Sequence, residues 1–210
     1  MYNFNSKDIS KILKSKYTLK KFIKEKGNVN SKLFFYDTTF LHLTSDKSQI
    51  KLLIKAGADV NAKNKYNNTP LHYAKKFKQI KLLIEAGADV NAKNSHGDTP
   101  LHCIQQKECI FLLLEAGADV NAKNNKCCTA LHSSKNIGKT MRLLMYGADV
   151  NVQDRDKKTP LHYARTNKIV KILLEYGADV NVQDRDKKTP LHYARTEIQK
   201  RLLLEAGAKA

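Results

Sequence analysis

The tetrapeptide Thr-Pro-Leu-His, intact or with one substitution, begins at Thr39, Thr69, Thr99, Thr129, Thr159 and Thr189, always 30 residues apart. A second signal keeps the same phase. Gly-Ala-Asp-Val-Asn begins at Gly57, Gly87, Gly117, Gly147 and Gly177, with degenerate copies at Gly27 and Gly207. Two phase-locked motifs over most of 210 residues specify a repeat array, in which each unit buries its apolar face only against its neighbours. The expected divisions are an N-terminal segment 1–38, repeats 39–68, 69–98, 99–128, 129–158 and 159–188, and a shorter C-terminal repeat 189–210.

The copy from Thr69 to Asp98 serves to read one unit. Thr69 suits an N-cap, and Pro70 at the first helical position gives up only an amide that would be unpaired there. Leu71 to Ala74 continue a short first helix, expected to end near Lys76 or Phe77. A second helix is expected over 78–86, with Ile80, Leu83 and Ile84 on one face. Gly87 falls where a residue of positive φ ends a helix, and the Asn-rich stretch 88–98 reads as an extended hairpin finger.

This helix–turn–helix–finger unit, with TPLHYA followed by IKLLIEAGADVNAKN, resembles the ankyrin repeat over residues 27–208. The resemblance implies an all-α repeat solenoid. That family typically runs 33 residues per repeat, so three residues are missing here between the two helices, and the first helix or its turn must be shortened. Ankyrin proteins of this Lys- and Asn-rich style resemble those of intracellular bacteria and large DNA viruses, many of which engage host proteins.

The ends differ from the interior. Ile9, Ile12 and Leu13, then Leu19, Phe22 and Ile23, keep helical spacing with Lys on the other faces. Ser6 is expected to cap the first segment and Gly27 to stop the second. Such a pair reads as the polar-faced cap that arrays need for solubility. At the other end, either Glu197, Gln199, Lys200, Arg201 and Glu205 solvate the last helices, or the chain is a piece of a longer array.

Charge and cysteine usage narrow the function classes. The formal net charge is +18, and residues 1–32 carry nine Lys against Asp8 and Glu25. Such an excess invites nucleic acid, anionic membrane or an acidic protein as partner. Only 6 of the 38 basic residues are Arg, the side chain that phosphate recognition prefers, which weighs against nucleic acid. All four cysteines fall within 99–128, unlike a disulfide framework, so free thiols and a cytoplasmic address are expected. Residues 1–25 lack the apolar stretch of a signal peptide, and no run approaches the ~20 apolar residues of a membrane span; non-classical export into a host remains compatible.

Catalytic signals are weak. The histidine ladder, His42, His72, His102, His132, His162 and His192, puts neighbours on equivalent helices about 8–10 Å apart, too far to share a metal or a proton. Each imidazole is expected instead to bond backbone groups that link one repeat to the next. Cys127 and Cys128 lack the spacing of structural zinc ligands; Cys128 is expected at the surface and Cys103 in the packing. Asp154/Asp156 and Asp184/Asp186 read as solvated turns among cations. No phosphate loop, nucleophile elbow or dinucleotide fingerprint occurs. No enzyme, metal or cofactor is expected.

What remains is binding. In ankyrin proteins partners usually lie along hairpin tips and first helices. By placement within the repeat, the tip residues include Phe35, Tyr36, Lys65, Tyr66, His96, Lys126, Arg155 and Arg185, while Lys76, Arg165 and Arg195 fall at or near the inner helix edge. The first finger, Leu33-Phe34-Phe35-Tyr36, is aromatic where others are polar: it is either an interface patch or packing for the N-terminal helices. The expected protein is a monomeric scaffold for an acidic protein, with electrostatic binding to nucleic acid or membrane through the Lys-rich start as the alternative.

Overall fold

The computed structural model describes residues 6–33 and 36–209. It comprises two compact units, residues 1–104 and 105–210. Each is a stack of helix pairs, the all-α repeat solenoid that the motif spacing implies. In the first unit, α1 (Ser6–Leu13) packs on α2 (Lys16–Lys24). Two pairs follow, α3 (Phe40–Leu43) with α4 (Lys47–Lys55) and α5 (Pro70–Tyr73) with α6 (Phe77–Glu85), and then α7 (Pro100–Cys103). The second unit holds α8 (Lys107–Glu115), α9 (Ile137–Met145), α10 (Asn167–Glu175) and α11 (Glu197–Glu205). Its first helices are reduced to 3₁₀ turns at Pro160–Tyr163 and Pro190–Tyr193.

The 30-residue period shortens the first helix to a single turn. Ala74 is already extended (ψ 129°) and Lys76 is the N-cap of α6, so the first helix ends at Tyr73 rather than near Lys76 or Phe77. The short connection is held by a buried glutamine. Gln79 Oε1 accepts the amide of Lys75 (3.1 Å), and its Nε2 donates to the Thr44 carbonyl of the preceding repeat (3.1 Å). Gln199 holds the last connection through the Arg195 amide and is buried, a stitching residue rather than part of the solvated face expected of it.

Second helices supply the core. Ile50, Leu53, Ile80 and Leu83 in the first unit and Ile110, Leu113 and Leu143 in the second are completely buried. Each contributes about 1.5–3 kcal/mol by leaving water. Lysines 11, 16, 20, 21 and 24 on α1 and α2, and Lys14 between them, are exposed, while Ile9 and Leu19 are buried. Leu33 of the first finger is buried as well, bridging to Thr38, so it serves packing. Ser15 caps α2. The side chain of Ser6, the expected cap of α1, lies outside the described atoms. Gly27 does not end α2: the left-handed residue is Lys26 (φ 61°). A Cβ at Gly27 would lie 2.3 Å from the Phe22 ring, so a larger residue there must displace that ring.

Polar stitches to the next repeat's main chain recur throughout. The Thr39 amide donates to His42 Nδ1 (3.1 Å), which leaves the proton on Nε2; Nε2 donates to the Asn68 carbonyl at 3.0 Å. His72, His132 and His162 reach Asp98, Lys158 and Lys188 carbonyls in the same way. Burial pushes the pKa of His42, His72 and His162 down, which favours this neutral form. The final Asn of the second motif forms a two-point clamp. Asn61 Nδ2 donates to the Gly87 carbonyl (3.0 Å) while its Oδ1 accepts the Asp89 amide (2.7 Å). Asn30, Asn121, Asn151 and Asn181 repeat that pattern.

The histidines give stability a pH dependence. A depressed folded pKa means that stability is full above the ordinary value of 6.5 and is lost as pH falls toward the folded pKa, because the unfolded chain takes up protons that the buried rings refuse. Urea midpoints are expected to decline from pH 7.5 to 5, and His72→Gln to decline less steeply over the same range.

Candidate functional site

From the second finger onward, one side chain organises each loop. Asn64 Oδ1 accepts the amides of Tyr66 (2.9 Å) and Asn68 (3.0 Å), closing a tight loop that carries Lys65 and Tyr66 at its tip. Asn94, Asn124, Asp154 and Asp184 do the same in later fingers. The loop closes through a left-handed residue: Asn67 (φ 56°), Gly97 (74°), Cys127 (58°), Lys157 (61°) or Lys187 (60°). Only Asn and Gly adopt that region readily, so Cys127 and the two lysines are held there by the loop. The fingers are therefore hydrogen-bonded turns, not extended ladders.

Asp154 and Asp184 are buried, contrary to their expected place in solvated turns. Their second oxygens accept the hydroxyls of Tyr163 (2.6 Å) and Tyr193 (2.5 Å), which tie finger to first helix. Burial alone would raise the Asp184 pKa. The Tyr193 hydroxyl, the Lys188 and Asp186 amides and the Lys158 ammonium outweigh it and hold the carboxyl below its usual range. Burial, with the bond to Asp154, pushes the Tyr163 phenol up. Asp156 and Asp186 are exposed.

Tips are also joined backbone to backbone. The Lys65 amide donates to the Tyr36 carbonyl (2.8 Å) and the Ser95 amide to the Tyr66 carbonyl (2.9 Å). In the second unit, Arg155 bonds Lys126 and Arg185 bonds Asp156. The side chains of Tyr36, Lys65, Tyr66, His96, Lys126, Arg155 and Arg185 are all exposed. In the first unit the Tyr36 and Tyr66 rings pack against each other at a tilt, centroids 5.2 Å apart at 43°. The sequence hinted at that pair only through a shared place in the repeat. The second unit's tips are charged instead, alternating Arg155, Asp156 and Lys157, then Arg185, Asp186 and Lys187.

The remaining expected residues divide differently. Phe35 lies outside the described residues. Lys76, Arg165 and Arg195 are exposed but occupy the connection between the two helices, one first-helix length from the tips. Cys103 is exposed rather than packed, because it stands at the position of the half-exposed Tyr73 and Tyr163. Cys128 is partly covered, with Sγ 3.8 Å from Asp154 Oδ2. None of the four cysteines is in a disulfide, and among the described residues no three His, Cys, Asp or Glu side chains converge as metal ligands would. No helix of the described residues is long and apolar enough to cross a membrane.

Comparison with known proteins follows the same lines. A family model described as ankyrin repeats (3 copies) matches residues 9–94, 41–124, 75–154 and 130–210, overlapping stretches that together span nearly the whole chain. Among solved structures, this chain is similar to the ankyrin repeat domain of Bcl-3, described as a unique member of the IkappaB protein family. The match has a TM-score of 0.74 at 25% identity and covers 93% of this chain and 96% of that one. No curated protein matches the sequence.

The geometry of the finger is testable by amide exchange. Asn64→Ala removes the two bonds that its Oδ1 accepts, of about 1 kcal/mol each, and the bond from its Nδ2 to the Tyr73 hydroxyl. The Tyr66 and Asn68 amides are expected to exchange roughly tenfold faster by NMR, while amides of α6 keep their protection.

Proposed function

Because the chain belongs to the ankyrin-repeat family, a family of protein–protein interaction modules, we propose that it is a non-enzymatic scaffold whose finger and first-helix surface binds a partner protein. The observation that carries this reading is the support beneath the tips. Main-chain bonds join Lys65 to Tyr36, Arg155 to Lys126 and Arg185 to Asp156, and buried Asn64, Asp154 and Asp184 close the loops that carry Tyr66, Arg155 and Arg185 on fixed mounts. Rigidly mounted Tyr and Arg side chains lose little freedom on binding, and such residues dominate interface energetics.

The formal charge of +18 favours an acidic partner. Tips such as Lys65 and Lys126 would act mostly through the rate of encounter, and the Tyr and Arg anchors through the lifetime of the complex. A second reading, electrostatic binding of nucleic acid or anionic membrane, draws on the exposed lysines of α1 and α2. Salt separates the two. Polyanion binding falls steeply and linearly on a log–log plot, whereas an anchored protein interface weakens modestly.

Affinity capture with the whole chain tests the surface. Tyr66→Ala and Arg155→Ala are each expected to weaken binding of the captured partner about tenfold, as interface anchors do. Capture that survives Tyr36→Ala, Tyr66→Ala and Arg155→Ala together would overturn this assignment.

A further inference from the structure

The second-helix face of the first unit carries a groove in which the fingers take no part. α4 and α6 pack side by side. Between them lie two depressions of about 350 and 280 Å³ that share Lys51, Leu82 and Glu85 in their walls. The floor is apolar: Ile54 and Leu82 are partly open, and Phe77 at one end leaves 43% of its surface in water. The rims are basic. Lys47, Lys51 and Lys55 recur every fourth residue along α4, which sets them in one row. Lys78 and Lys81 face them from α6, against the single carboxylate Glu85. Among the described residues only Lys81 of the five forms an ion pair, with Glu85 at 3.8 Å.

General lysine abundance does not account for this groove. α4 and α6 together carry five lysines and one glutamate, a net +4. The pairs α8 with α9 and α10 with α11 each carry a net +1. At the repeat positions of Lys51 and Lys81 the second unit has Phe111 and Met141 before cations return at Lys171 and Arg201.

We propose that this groove is a second docking site, which takes an acidic amphipathic segment of a partner protein. Charge complementarity selects the acidic face, since five ammonium groups meet one carboxylate. The exposed floor selects the amphipathic character: a purely anionic chain would engage the lysines and leave Phe77, Ile54 and Leu82 uncovered. The row from Lys47 to Lys55 covers about 12 Å, two turns of a partner helix, enough for two or three apolar side chains to reach the floor. Ammonium groups on flexible stems suit carboxylates without the fixed two-point geometry that Arg imposes. This site is separate from the finger surface, so either assignment can fail alone.

The test is fluorescence anisotropy on the full chain with a labelled peptide of about 12 residues, three helical turns. It carries Leu at one helical stripe and Glu elsewhere; a scrambled version and a single-stranded oligonucleotide of equal charge serve as competitors. The ordered peptide is expected to bind best. Lys51→Glu with Lys81→Glu is expected to weaken it at least about tenfold, and Phe77→Ala about fivefold. Lys168→Glu with Lys171→Glu in the second unit, and Tyr66→Ala with Arg155→Ala at the tips, are expected to leave it unchanged. Lys51→Gln with Lys81→Gln repeats the measurement without charge reversal, and urea melts confirm that each variant folds. Equal binding of the scrambled peptide, stronger binding of the oligonucleotide, or an affinity indifferent to the groove changes would overturn the proposal.

Discussion

Everything in this protein rests on polar side chains of one repeat that grasp the main chain of the next. A stack of thirty-residue units has no central core to hold it, and its apolar contacts reach only the adjoining repeat. Hydrophobic contacts of Ile and Leu supply most of the stabilisation but little direction, since greasy faces can slide. Direction comes from His Nε2 bonded to a carbonyl 26 residues further on, and from an Asn amide that both donates and accepts across the same joint. Buried donors and acceptors that lack partners are costly, so a slipped register would break several such bonds at once.

The same economy governs the fingers. A loop exposed on three sides would ordinarily be mobile. Here an Asn or Asp at its base satisfies two amides, and in two fingers a tyrosine hydroxyl takes up the remaining carboxylate oxygen. The residues that give the site its chemistry are therefore not those that give it its shape. Tips can vary between a tilted tyrosine pair in the first unit and alternating Arg and Asp in the second without disturbing the mount. That separation suits the recognition role proposed for the tips.

Much of the fold was legible because local rules and the period agree. Thr-Pro announces a helix start, Gly87 and its counterparts take up positive φ, and a His per repeat at fixed phase implies a structural bond. Legibility failed where charge or spacing gave a misleading cue. Asp154 and Asp184, flanked by Arg and Lys, look like solvent residues, yet their positions are those of Asn64 and Asn94, which close a loop inward. Cys103 looked like a core residue by type, but its helix face opens to water. The first helix was read too long because its propensity continues past Tyr73 while the missing three residues force the chain to turn. Left-handed backbone at Cys127, Lys157 and Lys187 has no sequence signal, since those types are poor at it. The α4 lysine row was visible as a spacing, but its meeting with Phe77 and Leu82 depends on how two helices lie together.

The joints described here close on backbone atoms, which every residue type possesses. A copy of one repeat can consequently be spliced beside another and find its mating atoms already in place, with no coordinated change next door. Residues 146–166 and 176–196 are identical over 21 positions and close their fingers with the same bonds, from Asp154 in one copy and Asp184 in the other. For such a chain, lengthening or trimming by whole modules is mechanically simpler than substituting a single joint residue. Its natural unit of inheritance is the block of thirty, rather than the codon.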